Sequence, residues 1–224
     1  SMLPALSAVS RDQELPLSFA QERLWFMEQL ESGNPLYNIP SVLRLRGALN
    51  VSALTQAMDQ LVARQEVLRT VFHTVEGRPV VKFLPLHHQA SYLQVEDFSH
   101  NNDSVMLEQR VQSISRAPFS LTEGPLFRSH LLTLDEQHHL LLICVHHIVS
   151  DGWSAGVMVR ELVAFYQAAN QGKTAHLPPL PVQYADFAYW QRQTLQGQVL
   201  EQQVNYWQER LQDLPILSLP TDRP

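Results

Sequence analysis

The sequence reads as an α/β sandwich with a mixed, largely antiparallel sheet. Two observations lead there. Apolar residues recur at helical spacing in some stretches and alternate strictly in others, so helices and strands are interspersed. The strand-like runs also come as hairpins more often than as β-α-β crossovers. With 224 residues, 45% of them apolar, the chain can bury one large core or two small ones.

Taken in order, residues 1–15 show no periodicity and read as a loose N-terminal segment. LSFAQERLWFMEQLESGNP reads as a helix, with Ser18 as N-cap, Gln21 at the capping-box position and Gly33–Asn34–Pro35 as the stop. In IPSVLRLRGAL, Val42, Arg44 and Arg46 fall opposite Leu43 and Leu45, as on a strand. Asn50 can cap VSALTQAMDQLVARQE, whose Leu54, Ala57, Met58, Leu61 and Val62 form one apolar stripe. LRTVFHTV and PVVKFL follow as a hairpin around Glu76–Gly77–Arg78. A polar stretch leads to a helix in DSVMLEQRVQSIS. PLFRSHLLTL and HHLLLICVHH then pair around Asp135–Glu136–Gln137, and DGWSAGVMVRELVAFYQAANQG is a helix ended by Gly172. The connector LPPLPVQ precedes two last helices, around YADFAYWQRQ and QQVNYWQERLQ. Residues 215–224 read as a linker.

Composition excludes several functions. Sixteen basic residues against 22 acidic, a net charge of −6 with no basic run, argue against a nucleic-acid partner. One cysteine, Cys144, rules out an internal disulfide and a Cys-rich metal site. The apolar run HLLLICV is too short to span a membrane, and SMLPALS is no signal sequence. Ser1 before Met2 looks like a cloning remnant. The expectation is a cytoplasmic protein. Walker and dinucleotide phosphate loops are absent.

Histidine pairs occur at 87–88, 138–139 and 146–147, and only the last is followed by a turn and a helix start, in VHHIVSDGWS. Neighbours on a strand face opposite ways, so His146 and His147 do not easily share a site. Histidine beside the free N–H groups of a helix start suits acyl transfer: one group handles the nucleophile's proton, the other a developing oxyanion. No G-x-S-x-G elbow is present, which fits direct transfer between two substrates. The plainer readings are a satisfied histidine at a strand end, Asp151 as an N-cap, and Cys144 as a buried inert thiol. His146, His147 and Asp151 lack the spacing or thiolate partners of a zinc site, so no metal is expected.

Those ten residues resemble the HHxxxDG signature of nonribosomal peptide synthetase condensation domains, in the superfamily of chloramphenicol acetyltransferase-like acyltransferases. SFAQERLWFM at 18–27 is similar to the family's first motif. RQEVLRTVF at 64–72 is similar to its second, with Gln65 where histidine is usual. YADFAYW at 184–190 is similar to the fourth, and LPILSLPTDRP to the segment after it. The resemblance implies a chloramphenicol acetyltransferase-like two-layer sandwich. It also implies amide-bond formation between a donor acyl thioester and an acceptor aminoacyl thioester. Both are delivered on 4′-phosphopantetheine arms by donor and acceptor carrier proteins, next to an adenylation domain, and no cofactor is bound directly.

On the same resemblance, His147 faces the reaction, as general base or as the group that orients the amine, and the Gly152 N–H contacts the oxyanion. His146 orders the loop. Asp151 pairs with Arg64, or in reserve with Arg69, away from the substrate. Trp153, Tyr166 and Trp207 are tunnel-lining candidates, although core packing is the plainer reading of Tyr166 and of Trp207 taken alone. Ser18, Gln21 and Arg23 support the architecture. Since complete condensation domains are about twice this long, residues 1–214 correspond to the N-terminal lobe, and 215–224 begin the linker to a missing C-terminal lobe. An isolated lobe is expected to be inactive. The alternatives are a starter domain with a fatty-acyl donor, and a non-catalytic carrier-binding module.

Overall fold

The apolar stripes decide where the helices lie and which side each buries. In the computed structural model, which describes residues 3–86, 91–100, 103–215 and 217–220, they form α1 (Phe19–Leu30), α2 (Val51–Arg64), α3 (Ser104–Arg116), α4 (Gly152–Asn170), α5 (Tyr184–Thr194) and α6 (Gly197–Leu211). Ser18 caps α1 with the full capping box. Its Oγ accepts the Gln21 N–H, and Gln21 Oε1 accepts the N–H of Ser18. Asn50 and Asp103 cap α2 and α3. The stripe of α2 is fully buried, and its larger side chains contribute about 1.5–3 kcal/mol each.

Among the described residues, six strands complete the fold: β1 (Asn38–Arg46), β2 (Thr70–Val75), β3 (Arg78–Phe83), β4 (Leu93–Asp97), β5 (Phe127–Thr133) and β6 (His138–His146). The main sheet has the order β1-β6-β5-β4, antiparallel except for β4 beside β5. The hairpin β2–β3 stands apart, and its loop is the two residues Glu76 and Gly77, both with positive φ, as a type I′ turn requires. β1 shows the expected alternation. β4 was not anticipated. Only Leu93 in it is buried, so the edge strand has almost no apolar pattern to read. Together with α3 it makes a β-α-β crossover into parallel β5, in a sheet where the sequence showed hairpins outnumbering crossovers.

β6 holds the centre. Leu141, Ile143 and Val145 face the main core, which they share with the stripe of α2 and the inward side of α4. Leu140 and Leu142 face α3 through Ile114, which gives the sandwich partial cover on its second face. α6 contributes no buried residue, and Leu200, Val204 and Trp207 point outward from it. The histidine pair 87–88 and half of the expected linker lie outside the described residues. Residues 217–220 have no regular structure.

The N-terminal segment is irregular but not loose. Leu15 and Leu17 are core residues, and Leu15 bridges to Val81. Arg11 pairs with Asp186 at 2.6 Å and with Glu66 at 2.8 Å, while the Val9 N–H donates to Asp186. Burial opposes ionisation of Asp186, but the bonds from Arg11, Gln183 and Val9 outweigh it and hold the carboxyl below its usual range. A carboxyl with a depressed folded pKa adds stability above its unfolded value near 4, which is lost as the pH falls through the folded pKa. Arg11→Ala should therefore lower unfolding free energy at pH 7 by about 1–3 kcal/mol, between exposed and buried ion pairs. It should also flatten the acid limb. Urea titrations at pH 7 and about pH 3 read both, and an unchanged midpoint at pH 7 would count against this strap.

Candidate functional site

The site forms where β6 stops. His146 is the last strand residue and stays buried, with its ring between Tyr37 and Phe119. The next residues make a 3₁₀ turn, His147–Val149. The polar groups of the turn are met locally: the Ile148 N–H donates to His146 Nδ1 at 3.1 Å, and the Ile148 carbonyl accepts Gln21 Nε2 at 3.2 Å. Ser18 Oγ lies 3.0 Å from the Tyr184 hydroxyl, so the first-motif helix is itself tied to α5. The α1 capping box thus braces the loop as well as the helix.

Turning out of the sheet sends His147 away from its neighbour. His147 is exposed and lines a cleft of about 670 Å³. Its Nδ1 lies 2.7 Å from the Ser150 carbonyl. A carbonyl only accepts, so Nδ1 carries the proton in the neutral ring and Nε2 keeps its lone pair free. Other walls of the cleft include Gln21, Leu24, Gln65 and Met158, with Arg23 and Trp153 on its exposed parts. His146 is the opposite case. Burial, with a smaller push from His147, lowers its pKa to about 4, so it stays neutral. As Nδ1 accepts from Ile148, Nε2 carries the proton, and among the described residues it has no hydrogen-bond partner.

Asp151 caps α4. Its Oδ1 accepts the Ser154 N–H at 2.8 Å and the Ser154 hydroxyl at 2.6 Å, and these bonds hold its carboxyl below the usual range. The expected ion pair with Arg64 does not form. Arg64 Nε is 2.9 Å from Glu161, further along α4, and its NH2 reaches the Pro178 carbonyl. Arg69 is not the partner either, since it donates to the carbonyls of Val62 and Leu84. Glu66, three residues before Arg69, pairs instead with Arg11. Capping explains the difference: an exposed carboxylate at a helix N-terminus finds its donors one turn away.

Gly152 is the first residue of α4, so its N–H has no acceptor within the helix. It does not need a glycine backbone here, because its φ is not left-handed and a Cβ would meet open space. Trp153 is 83% exposed beside it. Tyr166 and Trp207 lie away from the cleft. The Tyr166 hydroxyl accepts the Asn50 N–H and ties α4 to the cap of α2, while Trp207 sits on the outer stripe of α6. Cys144 is buried, and burial raises its thiol pKa. Sequence reasoning missed Glu161, Arg11 and Asp186. Glu161 carried one signal, a charged residue on the inward stripe of a helix between Met158 and Leu162.

The model of the family described as "Condensation domain" matches residues 11–224. A linear gramicidin synthase of Brevibacillus parabrevis is 47% identical over 221 residues, 98% of this chain and 3% of that protein. Malpibaldin synthetase of Mortierella alpina is 46% identical over 96% of this chain and 4% of its own length. Among solved structures, the X-domain from teicoplanin biosynthesis superposes with a TM-score of 0.83 at 30% identity, covering 99% of this chain and 48% of that one. The first condensation domain of the calcium-dependent antibiotic synthetase, in complex with substrate analogue 2a, gives 0.79 at 27%, covering 91% and 48%. The chain thus spans about half of those structures and a small part of the curated relatives.

Two tests separate the roles of the loop residues. Asp151→Asn keeps a capping side chain and should leave stability within a few tenths of a kcal/mol, whereas Asp151→Ala should cost about 1 kcal/mol in chemical denaturation. Equal large losses would restore a buried ion pair. For His146, a folded pKa below the unfolded value means stability that is complete above about pH 6.5 and is lost as the pH falls towards about 4. His146→Asn keeps an acceptor for Ile148 and removes the titration, so the slope of stability between those pH values should shrink.

Proposed function

The chain belongs to the condensation-domain family, and from that premise we propose that it is the catalytic N-terminal lobe of a peptide-bond-forming condensation domain. The observation that carries the reading is the His147 tautomer, with Nδ1–H held by Ser150 and Nε2 free in the cleft. The amine of an acceptor aminoacyl thioester attacks the donor thioester carbon. A C–N bond forms, the carbonyl oxygen takes up charge, and the C–S bond then breaks. His147 Nε2 either takes the amine's proton and returns it to the leaving thiolate, or holds the neutral amine in line. The Gly152 N–H, unpaired at the start of α4, is the contact for the oxyanion. Both thioesters arrive on 4′-phosphopantetheine arms of donor and acceptor carrier proteins, one of them loaded by a neighbouring adenylation domain.

The exposure of His147 and Trp153 supports a site completed by a second lobe. One wall neither excludes water nor positions two arms, so this lobe alone should transfer nothing measurable. A starter role differs in taking a fatty-acyl donor to the same site. A binding role has one observation in its favour, the similar X-domain solved in complex with OxyB. The orientation of His147 towards an open cleft favours catalysis.

The test uses the complete two-lobe domain with both loaded carriers. His147→Ala should lower product on the acceptor carrier by about 10²-fold or more. Gly152→Pro removes the N–H at a helix position that tolerates proline, after a residue already extended, and should lower the rate by about 10²–10³-fold. Gly152→Ala keeps the N–H and should retain much more activity. Undiminished transfer by the His147 variant would leave the lobe as a platform.

A further inference from the structure

Gln65 shares the cleft with His147, and the chemistry of its neighbour fixes which way its amide points. Its side chain lies 2.7 Å from Glu161 Oε2. An ionised carboxylate only accepts, so the atom facing it is the NH₂. Glu161 is itself buried, at 9% exposed, and clamped by Arg64. The backbone of Gln65 is held too, as the C-cap of α2 donating to the Leu61 carbonyl. The amide cannot turn over without leaving Glu161 a donor short.

That leaves Oε1. Among the described residues nothing donates to it, yet it is not among the side-chain oxygens sealed without a partner. It is therefore accessible, an oriented acceptor on a residue that lines the cleft among Leu24, Val67, Leu68 and Met158. A fixed acceptor in apolar surroundings favours a ligand that brings an N–H and penalises one that does not. Resting on the function proposed above, the thioester substrates carry two kinds of N–H, on the attacking amine and on the amides of the pantetheine arm. We propose that Gln65 contacts substrate, its Oε1 accepting an N–H from the bound thioester, with the buried Arg64–Glu161 pair as the positioning group behind it.

The test is binding, independent of turnover. An unreactive thioether-linked aminoacyl pantetheine is titrated calorimetrically into the complete domain and its variants. Gln65→Met keeps the volume but offers no acceptor, and should weaken binding about five- to tenfold, the size of one neutral hydrogen bond. Gln65→His should stay within about twofold, because a neutral imidazole donates to Glu161 from one nitrogen and accepts at the other. Gln65→Lys satisfies Glu161 but brings no acceptor, so it should fold and still lose binding, which separates the contact from a structural role. An analogue with hydrogen in place of the amine, which leaves no donor there, names the source. If the Gln65→Met penalty vanishes with it, the amine is the donor; if it persists, the arm's amides are. Equal binding by wild type and Gln65→Met, or no binding by wild type, overturns the proposal. Gln65-dependent binding without turnover would instead refute the catalytic reading and leave this contact standing.

Discussion

β6 is buried on both faces, and a strand in that position has to leave the sheet without stranding polar groups. Eight of its nine residues are buried, which leaves no water to satisfy a careless exit. The solution is local. His146 stays inside as a neutral ring and accepts the Ile148 N–H, Gln21 reaches across from α1 to the Ile148 carbonyl, and Ser150 accepts from His147. The geometry of the His147 imidazole is thus a by-product of ending a buried strand. The orientation of that ring and the satisfaction of the backbone rest on the same few bonds.

This explains the asymmetry between two identical neighbours. His146 takes burial and gives up charge; His147 takes exposure and keeps a free nitrogen. Alternation along a strand predicted that they would part, and the 3₁₀ turn that begins directly after the last paired residue is what carries His147 away. The α1 capping box, the α2 stripe, the β2–β3 hairpin and the β5–β6 pair were equally legible, since each depends on residues close in sequence. β4 was not. Its pairing is with a strand more than thirty residues on, and only one of its side chains is buried.

Ion pairs were the least legible part of the site. A guanidinium near a carboxylate in a motif says that both matter, not that they meet. Arg64 had Glu161 within reach at 2.9 Å, on a buried helix face where an unpaired carboxylate is costly, whereas Asp151 had solvent and the α4 N–H groups. The charge with the greater desolvation cost takes the partner. The same rule places Arg11: Asp186 is almost wholly buried at the start of α5, so a segment without any periodicity is drawn in to neutralise it.

The end of α2 and helix α4 are joined through one carboxylate. Arg64 and Gln65 are adjacent, and both end on Glu161, one as charge and one as amide. An amide gripped by its nitrogen presents its oxygen with little rotational freedom left to lose, which lowers the entropic cost of any contact it then makes. A free glutamine on the cleft wall would give up that freedom on binding. The buried ion pair contributes little net stability of its own, because desolvation consumes most of the attraction. What it supplies is orientation, for an acceptor placed in the same cleft as the nitrogen of His147.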